Sequence, residues 1–324
     1  MSGHVLPTGL ALLADASVPQ APIAALFLTF LAYSFVGWLW ESTVCALANQ
    51  GHFANSGFLL GPVCPIYGTG ALASWLLLRG ITSDLALFLV AGTLCCAIEY
   101  LVGLTLERTT GARFWDYENL PLNIHGRVCL YGFLLFGGAA ALVCRVVQPM
   151  LLGLLGHLPG GAIEAVALAA AAGLGLDWAL AAASWRRLST RLEELRAQLA
   201  LKLNDSLGEA SDRMLETIPE PARRAAAEAA AQARGASEGL AARLSTDAVP
   251  APRDLAAWLS GAGDAPRALA AWLQDATEGL VGKLGKRDLR FFNAFPHLRF
   301  NRYERLISVT HLKDRVSDLF AGKR

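Results

Sequence analysis

The chain has 324 residues, of which 54% are hydrophobic and only 17% charged, and its net charge at pH 7 is +1. Five of the 28 Lys and Arg residues precede position 186, as do nine of the 27 acidic residues, so an apolar first part of charge −4 is followed by a part of charge +5. This asymmetry divides the chain into an apolar part and a charged, Ala-rich part. No nucleic-acid partner is expected.

Five apolar segments of the first part are long enough to cross a membrane. A helix needs roughly 20 mostly apolar residues to span a hydrocarbon core that is ~30 Å thick. Buried core helices of a soluble protein are the alternative, but their apolar runs are usually shorter. We therefore predict an all-α polytopic membrane protein whose transmembrane domain covers residues 22–188. Its five transmembrane helices are expected at about 22–47, 57–79, 84–106, 128–148 and 162–185.

The positions of the arginines predict the orientation of the spans. Arg108 and Arg113 follow the third span, and Arg186 and Arg187 follow the fifth. Because Lys and Arg accumulate in cytoplasmic loops, both of these segments are expected in the cytoplasm. An odd number of spans then puts the N-terminal tail, residues 1–21, outside. Its apolar run is short, so we do not expect a cleaved signal peptide.

The second span contains several helix breakers. Prolines and glycines interrupt the apolar stretch NSGFLLGPVCPIYG, residues 55–68. A regular helix that begins at the second proline would have about 14 residues and a length of about 21 Å, too short to cross the membrane. The non-helical part is therefore expected at membrane depth, buried in protein or lining a cavity. A tight turn at the membrane interface is the alternative. The residues of this broken-helix segment are Gly61, Pro62, Cys64, Pro65 and Gly68.

Three acidic residues lie well inside predicted spans, away from the span ends, namely Glu41, Glu99 and Asp177. A charge in a spanning helix is costly and usually faces the bundle interior or a cavity. The predicted orientation puts all three in the cytoplasmic half of the membrane, at the level of the broken second span. The predicted intramembrane polar site consists of Glu41, Glu99, Arg127, Asp177, Asn123 and Tyr67. An ion pair of Arg127 with Glu41 or Glu99 that only holds the bundle together is the alternative.

The sequence contains no recognisable metal, cofactor or nucleotide motif. Its six cysteines lack a zinc-binding spacing and are best read as small apolar residues. The segment from Gly279 to Lys283 resembles a Walker A loop only weakly, because the spacing is wrong and no strand precedes it. We therefore predict no metal site, no cofactor and no catalytic residues. Any ATP hydrolysis would require another chain.

The charged part predicts a helical, partly disordered cytoplasmic tail. Residues 189–286 form an Ala-rich insert, and residues 287–324 form a basic C-terminal region. Apolar residues at helical spacing in 192–199 indicate an amphipathic helix. Two similar units around Trp258 and Trp272 are compatible with helices on a membrane or on each other. A solvated spacer over 205–280 is the alternative.

Several short motifs together resemble one bacterial membrane family. They are YSFVGWLWE at 33–41, NSGFLLGPVCPIYGTG at 55–70, EYLVG at 99–103, WDY at 115–117, PLNIHGRVCL at 121–130 and FPHLR at 295–299. Over about 25–185 and 287–312 the chain resembles the family called putative ABC-transporter type IV, or CmpB-like. The resemblance implies a five-span protein of the bacterial cytoplasmic membrane, in contact with the lipid bilayer. Ser56 stands where the family pattern would have Arg, which weakens the case for anion binding by this loop.

Three functions are compatible with these features. In the first, the chain is a transporter or permease component in which Glu41 and Glu99 bind a proton, a cation or a substrate, and a separate ATPase subunit or another membrane protein is its partner. In the second, the chain is a scaffold or sensor that recruits partners through its tail. In the third, it is an intramembrane enzyme that acts on a lipid. A homo-oligomer is compatible with each of them.

Overall fold

The computed structural model describes residues 21–217, 264–301 and 303–321. These residues are mostly helical, which confirms the predicted fold class in its coarse form. The chain divides into two units. The first comprises Met1–Ala182 and Ala294–Leu298, and the second comprises Ala183–Asn293 and Arg299–Arg324. The domain limits drawn from the sequence stay a prediction.

The apolar helices belong to the first unit. They are α1 (Pro22–Gln50), α2 (Pro65–Leu78), α3 (Asp84–Thr110), α4 (Leu130–Gly156) and the beginning of α5 (Gly160–Thr217), and the short strand β1 (Ala112–Arg113) follows α3. Among the described residues, four of these helices are long and apolar enough to cross a membrane. The exception is α2, which is apolar but has only 14 residues. A fifth crossing therefore depends on the non-helical residues that precede α2.

Local sequence explains where these helices begin and end. Both α1 and α2 have a proline at their first position (Pro22 and Pro65), where no helical hydrogen bond is lost. The hydroxyl of Ser83 caps α3, since it accepts a hydrogen bond from the backbone N–H of Ala86 (3.4 Å). Gly111 ends α3 in the left-handed conformation (φ 68°), which glycine adopts without strain. The half-helix expected after the second proline of the broken segment is thus present as α2.

Two of the long helices contain a π-helical turn, which the sequence analysis did not predict. The turn in α1 is Glu41–Cys45, and the turn in α4 is Val143–Val147. A π turn changes the direction of the side chains that follow it, and such turns are frequent at functional sites. The turn in α1 begins at one of the three intramembrane acidic residues.

A buried polar network joins α1 to α4 beside the second π turn. The side-chain oxygen of Gln148 accepts a hydrogen bond from the hydroxyl of Tyr33 (2.7 Å), and its amide donates to the hydroxyl of Thr29 (3.2 Å). All three side chains are buried. Because each of them has a partner, this network stabilises the contact between the two helices.

Most of the apolar surface of the long helices faces outward. The core of the first unit includes the fully buried Leu87 and Leu152. In the most apolar 18-residue stretch of each long helix, however, only 11% to 28% of the residues are buried. Large side chains such as Leu101 (61%) and Leu168 (72%) are exposed. So large an exposed apolar surface fits contact with lipid. The chain is a multi-pass membrane protein.

The second unit contains the remainder of α5 from Ala183 and the elements of the tail. They are α6 (Asp264–Lys283), α7 (Lys286–Ala294), β2 (Arg299–Phe300), α8 (Glu304–Val309) and α9 (Leu312–Ala321). In α5 the leucines at positions 188, 192, 195 and 199 are buried at helical spacing, which confirms the amphipathic helix predicted over 192–199. The helix continues without a break past the domain limit predicted at 189.

The helices of the second unit pack on one another. Trp185 of α5 contacts Phe291 of α7 edge to face, with 5.1 Å between ring centroids, and Glu278 of α6 forms an ion pair with Arg315 of α9 (3.5 Å). Three leucines of α6 are buried, Leu269, Leu273 and Leu280. This part of the tail is therefore a packed helical unit and not a solvated spacer. Residues 218–263, with Trp258, lie outside the described residues.

Candidate functional site

The non-helical segment before α2 is held by hydrogen bonds to α1. We call the end of the bundle at which α1 and α3 finish and α2 and α4 begin the lower end. Here the backbone N–H of Cys64 donates to the carbonyl of Ser34 (2.9 Å), and the N–H of Ser56 donates to the hydroxyl of Ser42 (3.0 Å). The side chain of Asn55 satisfies the carbonyl of Leu60 (2.9 Å). Irregular backbone at membrane depth requires such partners, since lipid supplies none.

Asp177 of α5 supplies the other anchor of this segment. Its carboxylate accepts hydrogen bonds from the backbone N–H groups of Leu60 (2.7 Å) and Gly61 (2.8 Å). A Cβ atom at Gly61 would lie 2.9 Å from a carboxylate oxygen of Asp177, so glycine permits this close approach. Asp177, a predicted site residue of the fifth apolar segment, thus binds the broken-helix backbone.

The remaining residues of the predicted broken-helix segment have distinct places. Pro62 is exposed, Cys64 directly precedes α2 and is buried, and Pro65 is the first residue of α2. A Cβ atom at Gly68 would overlap the backbone oxygen of Phe30 in α1. α2 therefore begins in direct contact with α1, and its first turn has no room for a side chain on that face.

Glu41 receives a hydrogen bond from the hydroxyl of Tyr67 in α2. The thiol of Cys45, one turn further along α1, is a second partner of Glu41. The ring of Tyr67 lies directly on Gly37, because a Cβ atom at Gly37 would overlap ring atoms of the tyrosine. Two of the predicted site residues, Glu41 and Tyr67, are therefore in direct contact.

Glu99 of α3 lies in the bundle interior and is only 5% exposed. Its Oε1 atom accepts a hydrogen bond from the hydroxyl of Tyr117, in the loop between α3 and α4 (3.2 Å). Its Oε2 atom is buried and has no hydrogen-bond partner among the described residues. Gly132 brings α4 close to this atom, since a Cβ atom there would lie 3.6 Å from Oε2.

The charges of both Glu41 and Glu99 affect Tyr117, which donates a hydrogen bond to Glu99. Burial raises the pKa of the Tyr117 phenol well above its ordinary value, and the negative charges of Glu99 and then Glu41 raise it further. Both carboxylates are thus near enough to act on the same hydroxyl group. We call Glu41, Tyr67, Glu99 and Tyr117 the carboxylate–tyrosine cluster.

Arg127 belongs to a separate group of charges below this cluster. Its guanidinium forms an ion pair with Glu107 at the end of α3 (2.7 Å), and Arg113 pairs with the same carboxylate (3.4 Å) and with Asp116 (3.5 Å). Arg127 also lies over the ring of Tyr100, 5.3 Å from its centroid. The alternative in which Arg127 pairs with Glu41 or Glu99 therefore differs from the structure, where Arg127 pairs with Glu107.

Asn123 holds the loop between α3 and α4 in shape. Its amide nitrogen donates to the carbonyls of Glu118 and Leu120 (both 3.0 Å), and its oxygen accepts from the backbone N–H of Gly126 (3.2 Å). The neighbouring His125 adopts a positive φ of 52° and contacts the hydroxyl of Tyr100 (3.1 Å). Asn123 therefore stabilises the conformation of the loop that carries Tyr117.

Aromatic rings link the lower end of the bundle to the C-terminal motif. Phe295 packs edge to face on Phe114 (4.9 Å between centroids), Phe114 packs on Phe58 of the broken-helix segment (5.8 Å), and Phe58 packs on Trp178 (5.7 Å). The motif at 295–299, quoted above for the family resemblance, thus contributes a ring to the same end of the first unit.

Sequence reasoning missed three features of this region. Tyr117 appeared only as part of a motif, and neither Glu107 nor Gln148 was among the predicted site residues. A hydroxyl or amide in or beside an apolar segment gives a weak signal, whereas Glu41, Glu99 and Asp177 stand out by charge. Among the described residues no group of three or more His, Cys, Asp or Glu side chains has the arrangement to hold a metal ion.

Comparison with known families finds a match to the family described as Putative ABC-transporter type IV, over residues 28–182. The matched range contains Glu41, the broken-helix segment, Glu99, Tyr117 and Asp177. The motif at 295–299 lies outside it. Comparisons with curated proteins and with solved structures find no match. Residues 28–182 are therefore similar to the family described as Putative ABC-transporter type IV.

Proposed function

We propose that the chain is a component of a membrane transport system and that the carboxylate–tyrosine cluster is its binding site. In this proposal the protein crosses the bacterial cytoplasmic membrane five times, with α2 and the segment before it as the second crossing. The N-terminus is outside, the tail is cytoplasmic, and the lower end of the bundle lies in the cytoplasmic half. The arginine distribution and the family description support this arrangement.

The observation that carries the proposal is that two acidic residues from different apolar helices contact the interrupted second segment. Glu41 contacts α2 through Tyr67, and Asp177 binds the backbone at Leu60 and Gly61. Transporters commonly build binding sites where a spanning helix is interrupted, because the interruption exposes polar groups and helix ends inside the membrane. Acidic residues inside spans mark ion or substrate paths for the same reason.

The proposal predicts charge movement that depends on Glu99. The full chain would be reconstituted into lipid vesicles on a solid support, and transient currents would be recorded after jumps in pH, Na⁺ or K⁺ concentration. We expect the Glu99→Gln variant to lose the current at least tenfold, at unchanged incorporation into the vesicles. Glu164→Gln is the matched control, since Glu164 is an exposed carboxylate of α5 and should leave the current unchanged. A current of wild-type size in Glu99→Gln would refute the assignment.

A scaffold function is the second candidate, and the packed helices of the second unit favour it. A tail that folds around buried leucines and aromatic rings offers a stable surface for a partner. Affinity purification from native membranes separates the two candidates. A nucleotide-binding subunit that co-purifies with the full chain supports the transport component, whereas partners that persist unchanged in Glu41→Gln and Glu99→Gln, without any charge movement, support the scaffold.

A further inference from the structure

We propose that the ligand of the carboxylate–tyrosine cluster is a proton, bound at the Oε2 atom of Glu99 while Tyr117 holds the Oε1 atom. The proton site is the proposed transport site, so the inference rests on that site but not on the occurrence of transport. Protonation takes one proton from water and release returns it to water, so no other reactant is required.

The first reason is the unsatisfied oxygen of Glu99. A buried ionised carboxylate without enough partners is strongly disfavoured in an apolar environment, and such groups become neutral by binding a proton. Glu99 has one hydrogen bond, from Tyr117, while its Oε2 atom has no partner among the described residues. The geometry thus leaves one oxygen of a buried acid available for a proton.

The second reason is that the nearby positive charges are already engaged. Arg127 and Arg113 both pair with Glu107, two helical turns further along α3. In the described part of the chain Glu99 forms no ion pair. A buried carboxylate that had a guanidinium partner would remain ionised; Glu99 lacks that compensation.

The third reason is the second carboxylate. The negative charges of Glu99 and Glu41 both raise the pKa of the Tyr117 phenol, and carboxylates in one region disfavour each other's ionised form. The titratable groups that interact with the pair are Tyr67 from α2, Tyr117 from the loop, Cys45 from α1, Cys64 from the broken-helix segment, and Cys95 and Cys96 from α3 itself. All of them are neutral donors in their protonated form and none neutralises a carboxylate.

The available space favours a proton over a larger cation. The Oε2 atom is buried, and the backbone of α4 at Gly132 approaches it closely. A metal cation needs four or more ligands around it, and the described residues contain no cluster of three metal-binding side chains. A proton needs neither a cavity nor further ligands.

Infrared difference spectroscopy of the full chain in lipid nanodiscs tests the proposal directly. Spectra would be compared between acidic and alkaline buffer, in the region where a protonated carboxyl group absorbs. We expect one buried protonated-carboxyl band in the wild type and in the Glu164→Gln control, and its loss in Glu99→Gln. Full retention of the band in Glu99→Gln overturns the proposal, as does its removal by Na⁺ or K⁺ at constant pH.

A second variant covers the case in which Glu99→Gln does not fold. Tyr117→Phe removes the hydrogen bond to Oε1 but keeps the acid and the aromatic ring. We expect the carboxyl band to persist at a shifted frequency, and an unshifted band overturns the proposal. The vesicle currents test transport separately from the proton site. A carboxyl band that depends on Glu99, without a current that depends on Glu99, supports the proton site and refutes the transport function. A current that depends on Glu99, without the band, supports transport and refutes the proton site.

Discussion

Replacement of Asp177 by alanine is expected to lower the free energy of unfolding by about 3 kcal/mol. The carboxylate accepts hydrogen bonds from two backbone N–H groups, at Leu60 and Gly61. Each hydrogen bond to a charged acceptor contributes about 1.5–3 kcal/mol, and a buried donor left without an acceptor costs about 1–3 kcal/mol. Asp177→Asn should lose about half as much, because the amide oxygen can still accept one of the two bonds.

The measurement is SDS-induced unfolding of the detergent-solubilised protein, followed by tryptophan fluorescence. Glu164→Ala is the matched control, since it removes an exposed carboxylate from the same helix, and a change within about 0.5 kcal/mol is expected there. If Asp177→Ala behaves like this control, water satisfies the two N–H groups in its place. The broken-helix segment would then lie in a wet cavity or at the interface, not in protein.

The helices of this protein were largely predictable because membrane helices are specified by local composition. Apolar length predicted the four helices that are long enough to cross a membrane, and the proline rule predicted the start of α2 at Pro65. The break in the second segment was also predictable, since a regular helix cannot continue through two prolines three residues apart. These local rules do not predict which side chains form hydrogen bonds with the backbone groups that the break exposes.

The partners within the site were not predictable, because they join residues far apart in the sequence. Asp177 is more than a hundred positions from the two N–H groups that it binds. The sequence suggested Glu41 or Glu99 as the ion-pair partner of Arg127, whereas Arg127 pairs with Glu107 at the end of α3. The π turns have no signature in the sequence either, since they arise where packing favours one extra residue in a helical turn. The positions of charges were thus predictable, whereas their pairing was not.

Replacement of Gly68 by alanine is expected to destabilise the bundle by about 2–3 kcal/mol. A Cβ atom at this position would overlap the backbone oxygen of Phe30 and the hydroxyl of Ser34. Because a backbone oxygen within a helix cannot move aside as the end of a flexible side chain can, α1 and α2 would have to separate. Overpacking of this kind typically costs about 1–3 kcal/mol, and small residues at helix contacts in membranes are there to permit close approach.

Gly70 of the same helix provides the matched control for this effect. A Cβ atom at Gly70 would lie 3.5 Å from the sulfur of Cys95, an ordinary contact, and alanine in a helix is favoured over glycine by about 1 kcal/mol. Gly70→Ala should therefore be neutral or stabilising in the same unfolding experiment. Equal stability of the two variants would mean that α2 does not pack on α1 at Gly68. Since that contact also sets Tyr67 against Gly37, its loss would remove the hydrogen bond to Glu41, and Gly68→Ala should weaken the vesicle currents even where the protein still folds.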